Sequence, residues 1–309
     1  MLTTDEVIWA FRYCLGRDPE SMEVIRSHAH FASWLDLRNA LLGTREFAAS
    51  ASFQLPKRWV ICPVMGGKRL MWVDLSDRYV SQHCLFDDYE PAETKFVRDH
   101  LRNGDHFLDI GANIGWFTML ASTIVGKSGK ITSFEPRPIT ARHLRESVKL
   151  NNLDHIVTLH EFGVSDVIGQ NYLSWQEGTD NPGGSFVSSV ALGGAMTSEE
   201  IRLATLDSLA LGKVDFVKID VEGSEFRAMM GGANLIDRDR PTFLSEIYPT
   251  ALRNVSGCSP DEYLEFFTRR GYRIFIVDGS LDTTPEITSY PESWPRDLLN
   301  VGVIPSERI

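Results

Sequence analysis

Apolar residues recur at helical spacing in the first part of the chain and at strand spacing afterwards, and this change of period divides the sequence. Val7, Ile8, Phe11 and Leu15 form a stripe at helix spacing, broken by Gly16-Arg17-Asp18-Pro19. A second stripe carries Met22, Ile25, His28 and Ala29, and a third Trp34, Leu37, Leu41 and Leu42, ending near Gly43. Residues 1–52 therefore read as a helical module, too small for a large core of its own. Residues 53–88 read as a hairpin and a connecting segment. Trp59-Val60-Ile61 and Leu70-Met71-Trp72-Val73 flank Met65-Gly66-Gly67-Lys68, and Pro63 suits an edge position.

Residues 89–309 alternate strand and helix patterns. A helix over Pro91 to Leu101 leads to a strand at Phe107–Ile110. Further strands are expected at Lys130–Phe134, Ile156–His160, Val214–Ile219, Thr242–Ile247, Tyr272–Val277 and Asn300–Ile304. Helices are expected over Gly115–Val125, Ile139–Leu150 and Pro260–Arg270, with another after Gly223. Near-continuous apolar strands in βα units predict an α/β fold: a Rossmann-like, mostly parallel sheet of seven strands covered on both faces. The last strand follows a long non-helical stretch and is expected to be antiparallel. Residues 176–198, rich in Gly and Ser, read as a long lid or binding loop that covers an acceptor.

Composition narrows the function. The 309 residues are 43% hydrophobic and carry a formal charge of −11, which argues against a nucleic acid or an anionic membrane as partner. Hydrophobic runs are far shorter than the roughly 20 residues of a membrane span. The N-terminal residues lack the pattern of a signal peptide. Cys14, Cys62, Cys84 and Cys258 have no close spacing, so buried free thiols in a reducing cytoplasm are expected.

The strongest chemical signal is Leu108-Asp109-Ile110-Gly111-Ala112-Asn113-Ile114-Gly115 between a strand and a helix. Glycine at 111 and 115 permits a sharp turn and close approach of a ligand. The spacing departs from the dinucleotide fingerprint. An acid ahead of the first glycine suits a ligand with an ammonium group, such as S-adenosylmethionine. The next strand ends Ser133-Phe134-Glu135-Pro136, where an acid about 20 residues past the loop can hold ribose hydroxyls. Gly163-Val164-Ser165-Asp166 follows the third strand and can reach an adenine amino group. The cofactor set is thus Asp109, Gly111, Ala112, Asn113, Gly115, Glu135, Pro136, Ser165 and Asp166.

In Val214-Asp215-Phe216-Val217-Lys218-Ile219-Asp220-Val221-Glu222, the residues Lys218, Asp220 and Glu222 alternate with apolar ones. Leu244-Ser245-Glu246-Ile247 adds an acid at the same sheet edge, where open α/β sheets bind ligands. Lys218, Asp220, Glu222 and Glu246 are the catalytic candidates. They can deprotonate an acceptor hydroxyl, hold a divalent metal that does so, or form an ion-pair network that positions loops. His83 is a lesser candidate base, ahead of the Tyr89-Glu90 segment at the cleft edge.

FLDIGANIGWFT, SFEP, GVSD, LATLDSL, VDFVKIDVEGSE and LSEIYP, in this order over about residues 85–280, resemble the FkbM family of methyltransferases. The resemblance implies a class I methyltransferase fold, S-adenosylmethionine as cofactor, and methyl transfer to oxygen. It implies acceptors such as sugar hydroxyls of glycans or hydroxyls of secondary metabolites. YCLGRDPE followed by LRNALLGTREF resembles a short helical domain accompanying some bacterial glycan and surface-polymer enzymes. The competing readings are an NAD-dependent oxidoreductase, disfavoured by the loop spacing and the lack of a Tyr-x-x-x-Lys pair, and a non-catalytic binding module.

Overall fold

The structure, a computed structural model, describes residues 2–42, 44, 46–47, 59–176, 184–279, 284–291 and 294–309. The chain forms two compact units, residues 1–60 with 74–76, and residues 61–73 with 77–309. The expected boundary at 52/53 and the helix end at Gly43 lie outside the described residues.

The first unit contains helices α1 (Thr4–Leu15), α2 (Met22–His28) and α3 (Trp34–Leu42). Thr3 and Glu6 close a capping box at α1, satisfying amides that a helix start leaves free. Val7, Ala10, Phe11, Ile25, Leu37 and Leu41 from the three stripes share one small core. A hairpin of β1 (Trp59–Val64) and β2 (Arg69–Asp74) follows, as the turn residues predicted.

The second unit is built on one eight-stranded sheet. Its chain-order elements are a short helix α4 (Ser81–Leu85), α5 (Pro91–His100), β3 (His106–Ile110), α6 (Trp116–Ser122), β4 (Lys130–Phe134), α7 (Pro138–Leu150) and β5 (Val157–His160). After an insertion come β10 (Phe216–Ile219), α8 (Glu225–Met230), α9 (Ala233–Asp239), β11 (Thr242–Ile247), α10 (Pro260–Thr268), β12 (Tyr272–Ile276), β13 (Glu286–Ile287) and β14 (Leu299–Pro305). The strand order is β13-β12-β14-β11-β10-β3-β4-β5. The seven expected strands are all present, and the eighth is the two-residue edge strand β13. β14 runs antiparallel to both β11 and β12, while the β10 pairs with β3 and β11 are parallel. Gly302 of β14 is required by packing, since a Cβ there would lie 2.4 Å from the Phe96 ring of α5. No helix among the described residues is long and apolar enough to cross a membrane.

The insertion departs from expectation. β6 (Gly163–Val164), β7 (Gly169–Gln176), β8 (Phe186–Ser188) and β9 (Met196–Ala204) form a second, four-stranded sheet in the order β6-β9-β7-β8. Part of the loop expected over 176–198 is therefore strand, and residues 177–183 of it lie outside the described residues. The register Ser174↔Ser198 explains the sheet, with Ser174 Oγ bonded to Ser198 at 2.8 Å and to Ser188 at 3.0 Å. Serines that read as loop residues are cross-strand partners here.

Candidate active site

The sheet reverses direction of growth between β3 and β10: β4 and β5 add on one side, β11 on the other. Such a switch point leaves a crevice at the C-terminal strand ends. A cavity of about 780 Å³ opens there, lined among others by Gly111, Asn113, Glu135, Asp220, Glu222 and Glu246. The loops after β3 and β10 meet at Gly111, whose φ is +78° and whose Cβ would sit 1.9 Å from the Asp220 carbonyl oxygen. Any side chain would push the two loops apart.

The loop's amides are consumed internally. Gly111 and Ala112 N–H both donate to the Phe134 carbonyl at 3.0 Å, and Gly115 N–H donates to Ala112 at 2.9 Å. Asn113 N–H donates to Glu135 Oε2, and Arg137 N–H to Glu135 Oε1, each at 2.9 Å. Glu135 thus braces two loops while facing the cavity with its remaining lone pairs. Burial pushes its pKa up to about 7 against the lowering effect of the two amides.

Asp109 stands behind the cavity rather than on its wall. It is fully buried, and Oδ2 accepts from Thr118 Oγ1 at 2.6 Å, which ties α6 to β3. Oδ1 has no hydrogen-bond partner among the described residues. Burial raises the Asp109 pKa, opposed by the Lys218 charge beside it. Gly115, at φ +101°, lies against Leu144 of α7. Ser165 Oγ bonds to Asp166 at 3.0 Å, and the Ser165 carbonyl packs against Gly231. Ala112, Gly115, Ser165 and Asp166 are not among the cavity-lining residues, whereas Pro136 is.

The strand alternation expected at 218–222 stops at Ile219. Asp220 opens a loop in which Glu222 adopts φ 51°. That loop is pinned by Glu225, whose Oε1 accepts from Val221 N–H at 2.9 Å and Gly223 N–H at 3.2 Å. Asp220, Glu222 and Glu246 still converge on the cavity, by loop shape instead of strand pleat. Lys218 lies beneath them, 3.2 Å from Asp220 Oδ2 and 5.2 Å from the Phe117 ring. Its pKa is raised: burial opposes the charge, and the surrounding carboxylates outweigh burial. Burial raises Glu222 to about 8 and Glu246 well above the usual range, with Asp220 the first charge acting on each. Among the described residues no group of three His, Cys, Asp or Glu is disposed to hold a metal ion. The cluster does not fit the divalent metal considered from the sequence.

The sequence placed the Tyr89-Glu90 segment at the cleft edge but did not single out Glu90 as a further acid of the cavity wall, nor Arg137, Phe162 and Leu173 as lining residues. Arg137 stacks on Trp175 of β7 at 4.5 Å, and both are buried. His83 lines the cavity as well.

A family model for the methyltransferase FkbM domain matches residues 109–274. No curated protein matches the chain. Among solved structures, an FkbM methyltransferase from Methylobacillus flagellatus is similar at 15% identity and a TM-score of 0.41, over 73% of this chain and 52% of that one. An S-adenosylmethionine-dependent O-methyltransferase from Thermotoga maritima aligns at 13% identity and a TM-score of 0.37, over 70% of this chain and 65% of that one. A tRNA m1G37 methyltransferase from M. jannaschii aligns at 13% identity and a TM-score of 0.42, over 81% of this chain and 54% of that one. The chain thus spans about half the length of the M. flagellatus protein. The family match covers more than half of the sequence and contains β10, the Gly loop and every strand-end acid from Glu135 to Glu246, and the chain belongs to the FkbM methyltransferase family, on a class I α/β fold.

Proposed function

We propose that the protein is an S-adenosylmethionine-dependent O-methyltransferase acting on a hydroxyl of a sugar, glycan or secondary metabolite. The observation that carries this reading is one cavity holding the Gly111 loop and Glu135 together with Asp220, Glu222 and Glu246. The residues fit the donor. Gly111 lets the β3 and β10 loops meet at the cavity edge, Glu135 presents a carboxylate for ribose hydroxyls, and Phe134, Phe162 and Val164 offer an apolar wall for a base. When bound, S-adenosylmethionine supplies an electrophilic methyl group. The chain's own residues supply the rest. Asp220 accepts the proton of the acceptor hydroxyl as the oxygen becomes nucleophilic, and Lys218, 3.2 Å from Asp220 Oδ2, holds that carboxylate in place. The cavity walls hold donor and acceptor in register, which makes the displacement effectively unimolecular.

The test is incubation with labelled S-adenosylmethionine and extracts of host glycans and metabolites, followed by identification of the labelled product. A base-stable methyl ether on a hydroxyl compound is the expected result. Label on nitrogen, or on RNA, overturns the acceptor assignment.

A further inference from the structure

Glu90 occupies a backbone conformation that its sequence opposes twice. Its φ of 45° and ψ of 66° are left-handed, a region non-glycine residues avoid. It also precedes Pro91, and a residue before proline is driven towards extended conformations. Strain of this kind persists only where the surroundings impose it. The imposing contacts can be traced. Trp116, the first residue of α6 after the Gly loop, donates from Nε1 to Thr94 Oγ1 at 2.9 Å. Thr94 Oγ1 donates to the Tyr89 carbonyl at 3.0 Å, and Thr94 N–H to the Glu90 carbonyl at 2.8 Å. Tyr89 packs edge-on to Trp116 and Phe117, at 5.9 and 6.5 Å. The Gly-loop helix thus fixes the Tyr89–Glu90 backbone, and the result is a carboxylate on the cavity wall shared with Asp220 and Glu246.

We propose that Glu90 is a further carboxylate of the transfer compartment, held there by the Trp116–Thr94 contact, and that with Asp220 it supplies the negative charge that favours a cationic methyl donor. This rests on S-adenosylmethionine being the donor. The charged and titratable groups around Glu90 include Lys218 and Asp220 from β10 and its loop, Glu93 from α5, Cys84 from α4, neighbouring Tyr89, and Glu246 across the cavity. Burial raises the Glu90 pKa to about 7, so its charge is present above neutrality and lost below it.

The test compares S-adenosylmethionine, a sulfonium, with S-adenosylhomocysteine, a neutral thioether, by calorimetry. Glu90→Gln is expected to weaken S-adenosylmethionine about tenfold at pH 8 while leaving S-adenosylhomocysteine within about twofold. Retained S-adenosylhomocysteine binding also reports an intact fold. In the parent protein, the preference for the sulfonium is expected to rise between pH 6 and pH 8, and that rise to shrink in Glu90→Gln. Thr94→Val, which keeps the carboxylate and removes its brace, is expected to lose part of the preference. An unchanged ratio of the two affinities in Glu90→Gln, with an unchanged pH dependence, overturns the proposal. A parent protein that binds neither ligand overturns the donor reading, and the role of Glu90 with it.

Discussion

Gly111 is the position where a single methyl group has most to disturb. A Cβ there would meet the Asp220 carbonyl at 1.9 Å, so Gly111→Val is expected to separate the β3 and β10 loops and abolish S-adenosylhomocysteine binding in calorimetry. Glu135 combines two jobs, bracing Asn113 and Arg137 and facing the cavity. Charge-assisted hydrogen bonds are worth about 1.5–3 kcal/mol each, so Glu135→Ala is expected to weaken cofactor binding by at least tenfold. Asp220→Asn keeps the shape and removes the base. Turnover at saturating S-adenosylmethionine is expected to fall by about 10²–10⁴, with S-adenosylhomocysteine affinity changed only a few-fold. Parental turnover would reduce Asp220 to an ion-pair partner of Lys218. These residues were legible because each stands at a strand end, where periodicity breaks and chemistry begins. Glu90 was not, because nothing local marks a residue whose direction is imposed by Trp116 and Thr94. Asp109 was legible as important but not in its place, because a strand pattern does not say which acid points inward.

At the scale of elements, the βα units were plain because buried parallel strands such as Phe216–Ile219 are short, mostly apolar runs with sharp ends. The inserted sheet was hidden because it is half exposed and polar: Met196–Ala204 buries only Ile201 and Leu203. Its role is visible in the cavity wall, to which it contributes Gly163, Val164, Leu173 and Val187. The same sheet separates two pictures of the segment. β9 pairs antiparallel with β7 from Met196 to Leu203, so hydrogen exchange of the ligand-free protein is expected to show protection at alternate amides across 196–203. Exchange there as fast as in an open loop would restore the lid expected from composition. The helix α10 begins with a capping box of Ser259 and Glu262. Ser259→Ala is expected to cost about 1 kcal/mol of stability in chemical denaturation, with no change in cofactor affinity.

At the scale of the molecule, a net charge of −11 is compounded by carboxyls gathered in one cavity, and this couples stability to pH. Burial raises Glu90, Glu135 and Glu225 to about 7 and Glu222 to about 8. Each has a folded pKa above its unfolded value of about 4.3. A carboxyl raised in this way contributes stability that is fully present below the unfolded value and is lost as pH rises through the folded one. The window therefore runs from about pH 4.5 to about pH 8. Buried His106 and half-buried His160 act in the other direction, because burial lowers their pKa. Their loss of stability falls below about pH 6.5, the unperturbed histidine value. Between pH 6.5 and pH 8 the carboxyls act alone, and the ligand-free protein is expected to melt at a lower temperature at pH 8. The fall amounts to about 2–4 °C for each kcal/mol lost. A cationic donor in the cavity favours the ionised carboxylates, so S-adenosylmethionine is expected to stabilise more at pH 8 than at pH 6.5, and S-adenosylhomocysteine to show a smaller difference. Glu222→Gln removes one such titration and is expected to flatten the ligand-free curve. A melting temperature that rises from pH 6.5 to pH 8 in the ligand-free protein would mean that these carboxyls are already ionised and paired in the fold, with the cavity's negative charge offset before any donor arrives.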